Sequence, residues 1–383
     1  MTSPESPTSQ RLLTGCRDLG ALLDDFQAEQ IFLVADAIGY ESSGAAAVLE
    51  PILRGRLAGR FEVNEPNPQW PGVLDCAGAM SEAGAGAVLA VGGGTAMDVA
   101  KLGNWLAAQP VEPGTILENP PEQPASAPPV IAVPTTAGSG SEATQFAVVY
   151  RDGEKHSVAH ASLRPAAAIV DPALTANLPA DLTAHSGLDA LCQSIESIWS
   201  IHATEDSLAS ARAALALTWQ NLEAAVNDPT PAARSAMAWG AHLAGQAINL
   251  TQTTAPHALS YTLTSSFGIP HGAAVALTLG PVLAFNANVT AADCTDPRGP
   301  EAVHSRLALI CETLGAANPA EACALFQKKV EAVNCPASLS AAGLTSGGEV
   351  ETICARVNLP RLANNPRRLS AGDIRELLEG MGN

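Results

Sequence analysis

Three short apolar runs in the first half of the chain constrain its fold most strongly. They cover residues 31–35, 87–91 and 130–133, and polar or turn-forming residues bound each of them. Short apolar runs of this kind are typical of strands buried on both faces, as in a parallel sheet. The segments 43–57 and 95–108, which lie between them, have helical composition. This alternation predicts a βαβ nucleotide-binding domain.

Beyond about residue 180 the chain changes character, because long Ala- and Leu-rich segments replace the short apolar runs. A break at residues 227–229, Asn-Asp-Pro, is of the kind expected between helices. The predicted helices are residues 187–200, 205–226 and 232–249. We therefore predict an α/β domain over residues 1–179 and an all-α domain over residues 180–383. The Pro-rich stretch 110–129 predicts a surface loop.

The size and the charge of the chain limit the functions it can have. Its 383 residues suffice for two domains with complete cores. A net charge of −18, from 20 basic and 38 acidic residues, argues against nucleic acid or anionic lipid as a partner. It does not exclude a small anionic substrate, because a local cluster of Lys and Arg can override the overall field.

The sequence shows no sign of a membrane span or of secretion. It has no run of 18 apolar residues, so we predict no transmembrane helix. Residues 1–10 lack the apolar segment of a secretory signal, and we predict a cytoplasmic protein. The eight cysteines show no C-x-x-C spacing, which predicts buried free thiols instead of a zinc ribbon or a redox motif.

Two loops rich in glycine and hydroxyl groups follow the second and third apolar runs. Residues 92–98, Gly-Gly-Gly-Thr-Ala-Met-Asp, open a predicted helix whose N-terminus can bind a pyrophosphate. The alternative for the three glycines is a tight turn. Residues 134–142, Pro-Thr-Thr-Ala-Gly-Ser-Gly-Ser-Glu, suit a ribose or a nicotinamide carboxamide.

Asp36 follows the first apolar run directly. A carboxylate at the end of this strand can accept hydrogen bonds from the ribose hydroxyls of an adenosine, and it would repel a 2′-phosphate. This predicts a preference for NAD(H) over NADP(H). The alternative is a carboxylate that only caps the end of the strand or the start of the next helix.

One carboxylate and two imidazoles form a candidate metal site. Asp189 lies early in the helix predicted from residue 187, and His257 and His271 both lie beside prolines. These donors suit Zn²⁺, Fe²⁺ or a similar divalent ion, and three protein ligands leave a position for a substrate oxygen. Spacing alone leaves open that the two histidines are structural.

Taken together and in this order, the motifs resemble the iron-containing, or group III, alcohol dehydrogenases over nearly the whole chain. The matching segments are residues 92–101, 134–142, 189–191, 256–257 and 270–272. The resemblance implies the architecture shared with dehydroquinate synthases, in which an active site lies between a nucleotide-binding and a helical metal-binding domain. It also implies an enzyme that uses NAD(H) and a divalent metal, Fe²⁺ or Zn²⁺, with a homodimer as the default assembly.

Residue by residue, the resemblance makes Asp189, His257 and His271 metal ligands. Gln193 stands where a metal-binding His is usual, and Tyr261 stands where many family members have a second His. We keep Gln193 as a candidate fourth ligand, and we count both Gln193 and Tyr261 with the three ligands as candidate catalytic residues. The implied cofactor-binding residues are Asp36, Gly92, Gly93, Gly94, Thr95, Asp98, Thr135, Thr136, Ser139 and Ser141.

The segments 191–197 and 253–261 are similar to one branch of the family, the phosphonoacetaldehyde reductases of phosphonate biosynthesis. The implied reaction is reduction of phosphonoacetaldehyde to 2-hydroxyethylphosphonate. Gln252 stands where a basic residue is expected in that branch, so reduction of phosphonopyruvate to phosphonolactate is a second hypothesis. Candidate contacts for such an anion, or else ordinary solvated charges, are Arg151, Lys155 and Arg164.

On this interpretation, NADH binds along residues 92–98 with its nicotinamide near residues 135–139, and the metal polarises the substrate carbonyl as a Lewis acid. Water, a ribose hydroxyl and Tyr261 are the candidate proton sources. The competing hypotheses are polyol oxidation like that of glycerol dehydrogenases, a general alcohol dehydrogenase, and a non-catalytic relative that binds a nucleotide.

Overall fold

A computed structural model of the chain describes residues 10–110, 113–118, 121, 124–345, 347–357 and 362–381. The prediction that residues 1–10 form no secretory signal falls outside them, apart from Gln10. The chain divides into two compact units, Met1–Leu178 and Pro179–Asn383.

The described residues of the first unit form eight strands. They are β1 (Arg11–Leu13), β2 (Ile31–Asp36), β3 (Leu57–Val63), β4 (Ala87–Gly92), β5 (Val130–Pro134), β6 (Phe146–Arg151), β7 (Glu154–Ala159) and β8 (Ala167–Ile169). Six of them form a sheet in the order β1-β8-β5-β4-β2-β3, and β6 pairs with β7 as an antiparallel hairpin. Every pairing within the six-stranded sheet is parallel. The three apolar runs are therefore confirmed as strands, and β2, β4 and β5 are adjacent in the sheet.

The core of the first unit lies on both faces of this sheet. Helices of this unit are α1 (Leu19–Asp25), α2 (Gly39–Ser42), α3 (Ala45–Leu53), α4 (Trp70–Ala83), α5 (Gly94–Ala108) and α6 (Pro113–Glu118). Val34 and Ala90 face a buried cluster with residues of α4 and α5. Leu33 and Leu89, the alternate residues, face a second cluster with residues of α1 and α3. Burial on both faces is the reason that the central strands are continuously apolar.

The structure differs from two predictions for the first unit, the helix end at residue 57 and the loop over residues 110–129. The segment 43–57 ends as a helix at Leu53, and Leu57 already begins β3. The Pro-rich stretch 110–129 contains a short helix, α6, in its described part. A proline is tolerated in the first turn of a helix, because the N–H that it lacks would have no partner there.

The second unit is helical. Its described residues form α7 (Ala180–Trp199), α8 (Glu205–Asn227), α9 (Pro231–Thr251), α10 (Ala255–Phe267), α11 (His271–Asn286), α12 (Pro300–Leu314), α13 (Pro319–Ala332), α14 (Gly347–Ala355) and α15 (Ala371–Gly380), with one isolated β bridge between Cys294 and Arg367. The predicted α/β and all-α fold classes are thus confirmed. None of the described helices is both long enough and apolar enough to span a lipid bilayer.

α7 begins seven residues earlier than predicted, at Ala180, and Asp189 therefore lies near its middle. Every residue of this helix from Gly187 to Trp199 is buried. It packs against α8, α9 and α11, so it is the central helix of the unit. Asp189, Gln193 and Glu196 are polar residues within that buried stretch, and each must find polar partners there.

The cysteines are all free thiols, as predicted. Five of them are buried, but Cys294, Cys323 and Cys354 are only half-buried. For Cys76 and Cys192 burial raises the pKa of the thiol, in the first case to about 12, so the thiolate form is disfavoured.

The packing of Gly187 leads to a prediction that opposes helix propensity. A Cβ atom on Gly187 would lie 2.3 Å from Cδ1 of Leu222 and 2.8 Å from Cε of Met237. We expect Gly187→Ala to lower the free energy of unfolding by about 1–3 kcal/mol, the usual cost of overpacking. Urea denaturation followed by circular dichroism measures this change.

Gly78→Ala in α4 is the matched control, because an added Cβ there meets nothing within 4 Å and no proline follows it. This control should be neutral or more stable by up to about 1 kcal/mol, as propensity alone predicts. A rise in stability for Gly187→Ala would contradict the packing argument.

Candidate metal centre and cofactor loops

The carboxyl ends of β2, β4 and β5 lie side by side, because these strands are parallel neighbours. Asp36 ends β2, and Gly92 ends β4 immediately before α5. A Cβ atom on Gly92, whose φ is 152°, would lie 2.8 Å from the Cβ of Asp36 and 2.7 Å from that of Ala96. The first turn of α5, from Gly94, therefore opens at this edge with backbone N–H groups that the helix leaves unsatisfied.

Residues 134–142, the second loop, pack directly on residues 92–98, the glycine loop. The N–H of Thr135 donates to the carbonyl of Gly92 at 2.9 Å. A Cβ on Gly93 would lie 3.3 Å from Cγ2 of Thr136, and one on Gly94 would lie 2.8 Å from Oγ of Ser139. The structure thus brings most of the predicted cofactor-binding residues together at one edge of the sheet.

Asp36 has a local role in addition to its predicted one. Its Oδ1 accepts hydrogen bonds from the N–H groups of Ile38, at 3.1 Å, and Gly39, at 2.5 Å. One carboxylate oxygen therefore caps the turn after β2, which is the alternative that the sequence left open. Contact with a ribose stays a prediction.

Asp98 and Ser141 join the two loops to each other. The hydroxyl of Ser141 donates to Oδ1 of Asp98 at 2.6 Å, and the N–H of Val148 donates to Oδ2 at 3.0 Å. Burial raises the pKa of the Asp98 carboxyl, and the nearby Lys101 ammonium and these hydrogen bonds counteract that rise. Both oxygens of Asp98 thus have partners within the protein, and its contact with a cofactor stays a prediction.

The candidate metal ligands come from three helices of the second unit. Asp189 lies in α7, His257 lies in the first turn of α10, and His271 is the first residue of α11. Oδ1 of Asp189 lies 3.2 Å from Nε2 of His257 and 4.0 Å from Nε2 of His271. One ligand atom from each residue lies within 4.8 Å of the others.

These distances suit a divalent ion. Donor atoms at about 2.1 Å from an ion and at a tetrahedral angle are about 3.4 Å apart, close to the observed separations. One carboxylate and two imidazoles suit Zn²⁺ or Fe²⁺. Asp189 and His257 are buried and His271 is half-buried, so the donors are largely shielded from solvent.

Glu196 orients His257, and sequence reasoning gave it no role. Oε2 of Glu196 contacts Nδ1 of His257, and Oε1 accepts from the N–H and the hydroxyl of Thr254, both at 2.8 Å. A carboxylate that accepts from Nδ1–H leaves Nε2 of the imidazole as the metal-binding nitrogen. The one available signal was spacing, because Glu196 lies seven residues, or two turns, after Asp189 on the same helix face.

The same carboxylates control the protonation of His257. Burial alone lowers the pKa of this imidazole, but Glu196 and Asp189 outweigh burial and raise it to about 10. A metal ion must therefore compete with a proton for Nε2.

Gly272 allows α11 to reach α7. A Cβ atom at this position would lie 1.8 Å from the carbonyl oxygen of His185 and 3.0 Å from the N of Asp189. Both are backbone atoms that cannot move aside without moving α7. The glycine after His271 is therefore what lets this imidazole approach Asp189.

The two departures from the family pattern both lie next to these ligands in the chain. Gln193 is buried in α7, one turn after Asp189 and on the same face. Tyr261 lies one turn after His257, and its ring stacks on that of His271 with the centroids 6.3 Å apart. The predicted roles of Gln193 as a ligand and of Tyr261 in catalysis stay predictions.

The three candidate anion contacts lie in the first unit. Arg151 ends β6, and its Nε lies 3.8 Å from Oδ2 of the exposed Asp152. Lys155 lies on β7, and the half-buried Arg164 follows that strand. The exposure of the Arg151 pair is typical of solvated charges.

Comparison with known families gives two matches that follow each other along the chain. Residues 10–172 match the model described as iron-containing alcohol dehydrogenase. Residues 183–381 match the model described as the C-terminal part of the Fe-containing alcohol dehydrogenase family. The resemblance drawn from the motifs is thereby confirmed.

Two similar proteins illustrate the range of the relatives. A phosphonoacetaldehyde reductase of Streptomyces viridochromogenes is 38% identical over 304 residues, which cover 76% of this chain and 74% of that protein. A 1-propanol dehydrogenase of Salmonella typhimurium is 30% identical and covers 96% of this chain and 97% of that protein. The predicted enzyme class is confirmed by these matches.

A solved structure covers the whole chain. The sulfoacetaldehyde reductase of Bifidobacterium kashiwanohense, in complex with NAD⁺, superposes with a TM-score of 0.87 at 26% identity, covering 100% of this chain and 99% of that one. The predicted cofactors, a divalent metal and NAD(H), agree with the name of the matched family and with the nucleotide in this structure.

The contact of Glu196 with His257 predicts how metal affinity depends on a residue that does not bind the metal. We expect Glu196→Gln to weaken Zn²⁺ or Fe²⁺ binding about 10- to 100-fold, the range seen when such supporting carboxylates are lost. A glutamine amide that donates to Nδ1 would move the imidazole proton to Nε2. Competition with a chromophoric chelator measures this affinity.

Glu376→Gln, at an exposed position of α15, removes the same charge away from the site and should leave metal binding unchanged. Unaltered metal affinity in a folded Glu196→Gln variant would show that Glu196 does not orient His257.

Proposed function

The chain belongs to the iron-containing alcohol dehydrogenase family, and we propose that it is a metal-dependent, NADH-linked reductase that acts on the carbonyl group of a small phosphonate-bearing substrate. The favoured reaction is phosphonoacetaldehyde to 2-hydroxyethylphosphonate, with phosphonopyruvate to phosphonolactate as the related alternative. The observation that best supports a metal-dependent reaction is the close approach of Asp189, His257 and His271.

In our proposal each residue of the metal centre has a separate role. Asp189 and the two histidines bind the ion, and Glu196 keeps Nε2 of His257 directed at it. A bound divalent ion supplies Lewis-acid polarisation of the substrate carbonyl oxygen. Tyr261, whose ring stacks on that of His271, is the protein group that we propose as the proton donor to the product oxygen.

The loops of the first unit hold the nucleotide. Bound NADH supplies the hydride. In our proposal the backbone N–H groups of residues 92–95 bind its pyrophosphate at the start of α5, and residues 135–141 line its ribose and nicotinamide. Asp36 binds the adenosine ribose and repels a 2′-phosphate.

The names of two relatives support an anionic aldehyde as the substrate. Phosphonoacetaldehyde and sulfoacetaldehyde share a two-carbon aldehyde with a tetrahedral oxoanion at the other carbon. The 1-propanol dehydrogenase supports the competing view, in which the substrate is a simple aldehyde. The meeting of Asp189, His257 and His271 argues against a non-catalytic nucleotide-binding protein. The cytoplasmic location and the homodimer stay predictions.

The substrate proposal is tested by NADH absorbance with purified protein loaded with Fe²⁺ or Zn²⁺. We expect kcat/KM for phosphonoacetaldehyde to exceed that for propanal by at least roughly 100-fold, because a site built for an anionic group discriminates against its absence. Phosphonopyruvate and sulfoacetaldehyde complete the panel, and His271→Ala, which loses a ligand, should lose metal and turnover together.

If propanal is the best substrate, the proposal of a phosphonate substrate is contradicted, but the proposal of a reductase still stands. Absence of turnover by metal-loaded protein with every carbonyl compound of the panel, and with glycerol and NAD⁺, would contradict the enzymatic proposal itself.

Cofactor choice depends on the charge of Asp36. We expect Asp36→Asn and Asp36→Gly to lower the ratio of kcat/KM for NADH to that for NADPH by roughly tenfold or more, because the carboxylate no longer repels a 2′-phosphate. The Asn variant retains an oxygen that can accept from Ile38 and Gly39, so it separates charge from turn stability.

Asp152→Gly is the control, because it removes an exposed carboxylate from the hairpin turn, where φ is 55°. Wild-type protein that already prefers NADPH would show that Asp36 does not have this role.

A further inference from the structure

Lys101 is a buried charge that the proposed reaction does not use. It lies in the middle of α5 and is 1% exposed. Its Nζ donates to the carbonyl and to the hydroxyl of Ser141, both at 3.0 Å, and to the hydroxyl of Thr144 at 3.3 Å. The carbonyl of Phe146 also lies within hydrogen-bond reach, so two of the four acceptors share one of the three N–H groups of the ammonium. All these acceptors lie in the second loop and in the chain that continues from it into β6.

The electrostatics show why these contacts hold together. Burial lowers the pKa of Lys101 to about 8, and the carboxylates of Asp98 and Glu142 oppose that effect. Oδ1 of Asp98 lies 3.9 Å from Nζ. A buried ammonium without acceptors is very unfavourable, so the loop residues that surround Nζ are held where they satisfy it.

The contacts form a continuous stripe along α5. Gly94, Asp98 and Lys101 lie at intervals of four and three residues, which places them on one face of the helix. The position of a Cβ on Gly94 meets Ser139, and Asp98 and Lys101 both bond Ser141. We call Asp98, Lys101 and Ser141 the α5 clamp.

The α5 clamp fixes the second loop relative to the helix whose first turn begins at the glycine loop. We propose that Lys101 is a positioning residue for the dinucleotide, which holds residues 135–141 at the distance from the start of α5 that lets both loops bind one NADH. This inference rests on the proposed function. Lys101 itself does not touch the nucleotide, because its ammonium group is enclosed by the acceptors named above. Such preorganisation improves affinity because the loops need not be ordered on binding.

The test is the NADH affinity of Lys101→Met in the full, metal-loaded chain, measured from the fluorescence change of NADH on binding. Methionine keeps a long unbranched stem and removes the charge. We expect the Kd for NADH to rise about tenfold as the loops lose their fixed separation. Bound metal, measured by elemental analysis, should equal that of wild type, because all three ligands belong to the second unit.

Two controls separate positioning from general loss of stability. Lys328→Met makes the same chemical change at an exposed position of α13. Leu22→Ala removes buried apolar volume from α1, in the cluster on the sheet face opposite α5, and should lower Tm. Both should leave the Kd for NADH within about twofold of wild type, since neither alters the α5 clamp.

Thr144→Val is the second variant, because it removes a single acceptor of Lys101 and disturbs the core less. Its Kd for NADH should rise about threefold, in proportion to one lost hydrogen bond. If Lys101→Met does not fold, the Kd of Thr144→Val for NADH tests the positioning role in its place.

Two outcomes overturn the positioning role and leave the proposed function intact. One is an unchanged Kd for NADH in folded Lys101→Met. The other is a rise in the Kd of Leu22→Ala equal to that of Lys101→Met, at the same loss of Tm. Wild-type protein that fails to bind NADH in the same titration overturns both.

Discussion

Both candidate sites depend on one constraint, which is that two segments of the chain approach each other closely at a glycine. The start of α11 meets α7 where a Cβ on Gly272 would lie 1.8 Å from the carbonyl oxygen of His185, and this contact carries His271 to Asp189. At the sheet edge, a Cβ on Gly94 would lie 2.8 Å from Ser139. The candidate functional side chains lie close together because these segments pack against each other at the glycines.

Buried charges then hold the functional groups in place. Glu196 is fully buried, and the groups that satisfy its carboxylate, Thr254 and His257, are also the groups that it orients. Lys101 does the same for the second loop. Burial of an ionised group is unfavourable without partners, so each of these charges imposes a geometry on its neighbours. The two units use opposite charges in this way, a carboxylate at the candidate metal centre and an ammonium at the second loop.

The elements that could be predicted are those that are buried on both sides. β2, β4 and β5 are continuous apolar runs because helices cover both faces of the sheet. β1 has only three residues, and β3 has only exposed and half-buried positions at the sheet edge, so neither presents such a run. β8 does lie in an apolar run, residues 166–170, but it was not among the predicted strands. The first turns of α7 were not predicted for a similar reason, since most of residues 180–186 are exposed or half-buried.

The sequence by itself determined the fold class, the glycine loop, the candidate metal ligands and the family, because these depend on apolar runs, on local turns and on motifs that are contiguous in the chain. Only the tertiary structure decided which carboxylate supports His257, what neutralises Lys101 and why a glycine follows His271. Lys101 and Ser141 are 40 residues apart, and His257 and Glu196 are 61 apart. Contacts over such separations depend on how helices and loops pack, and packing leaves no periodic signal in a single sequence.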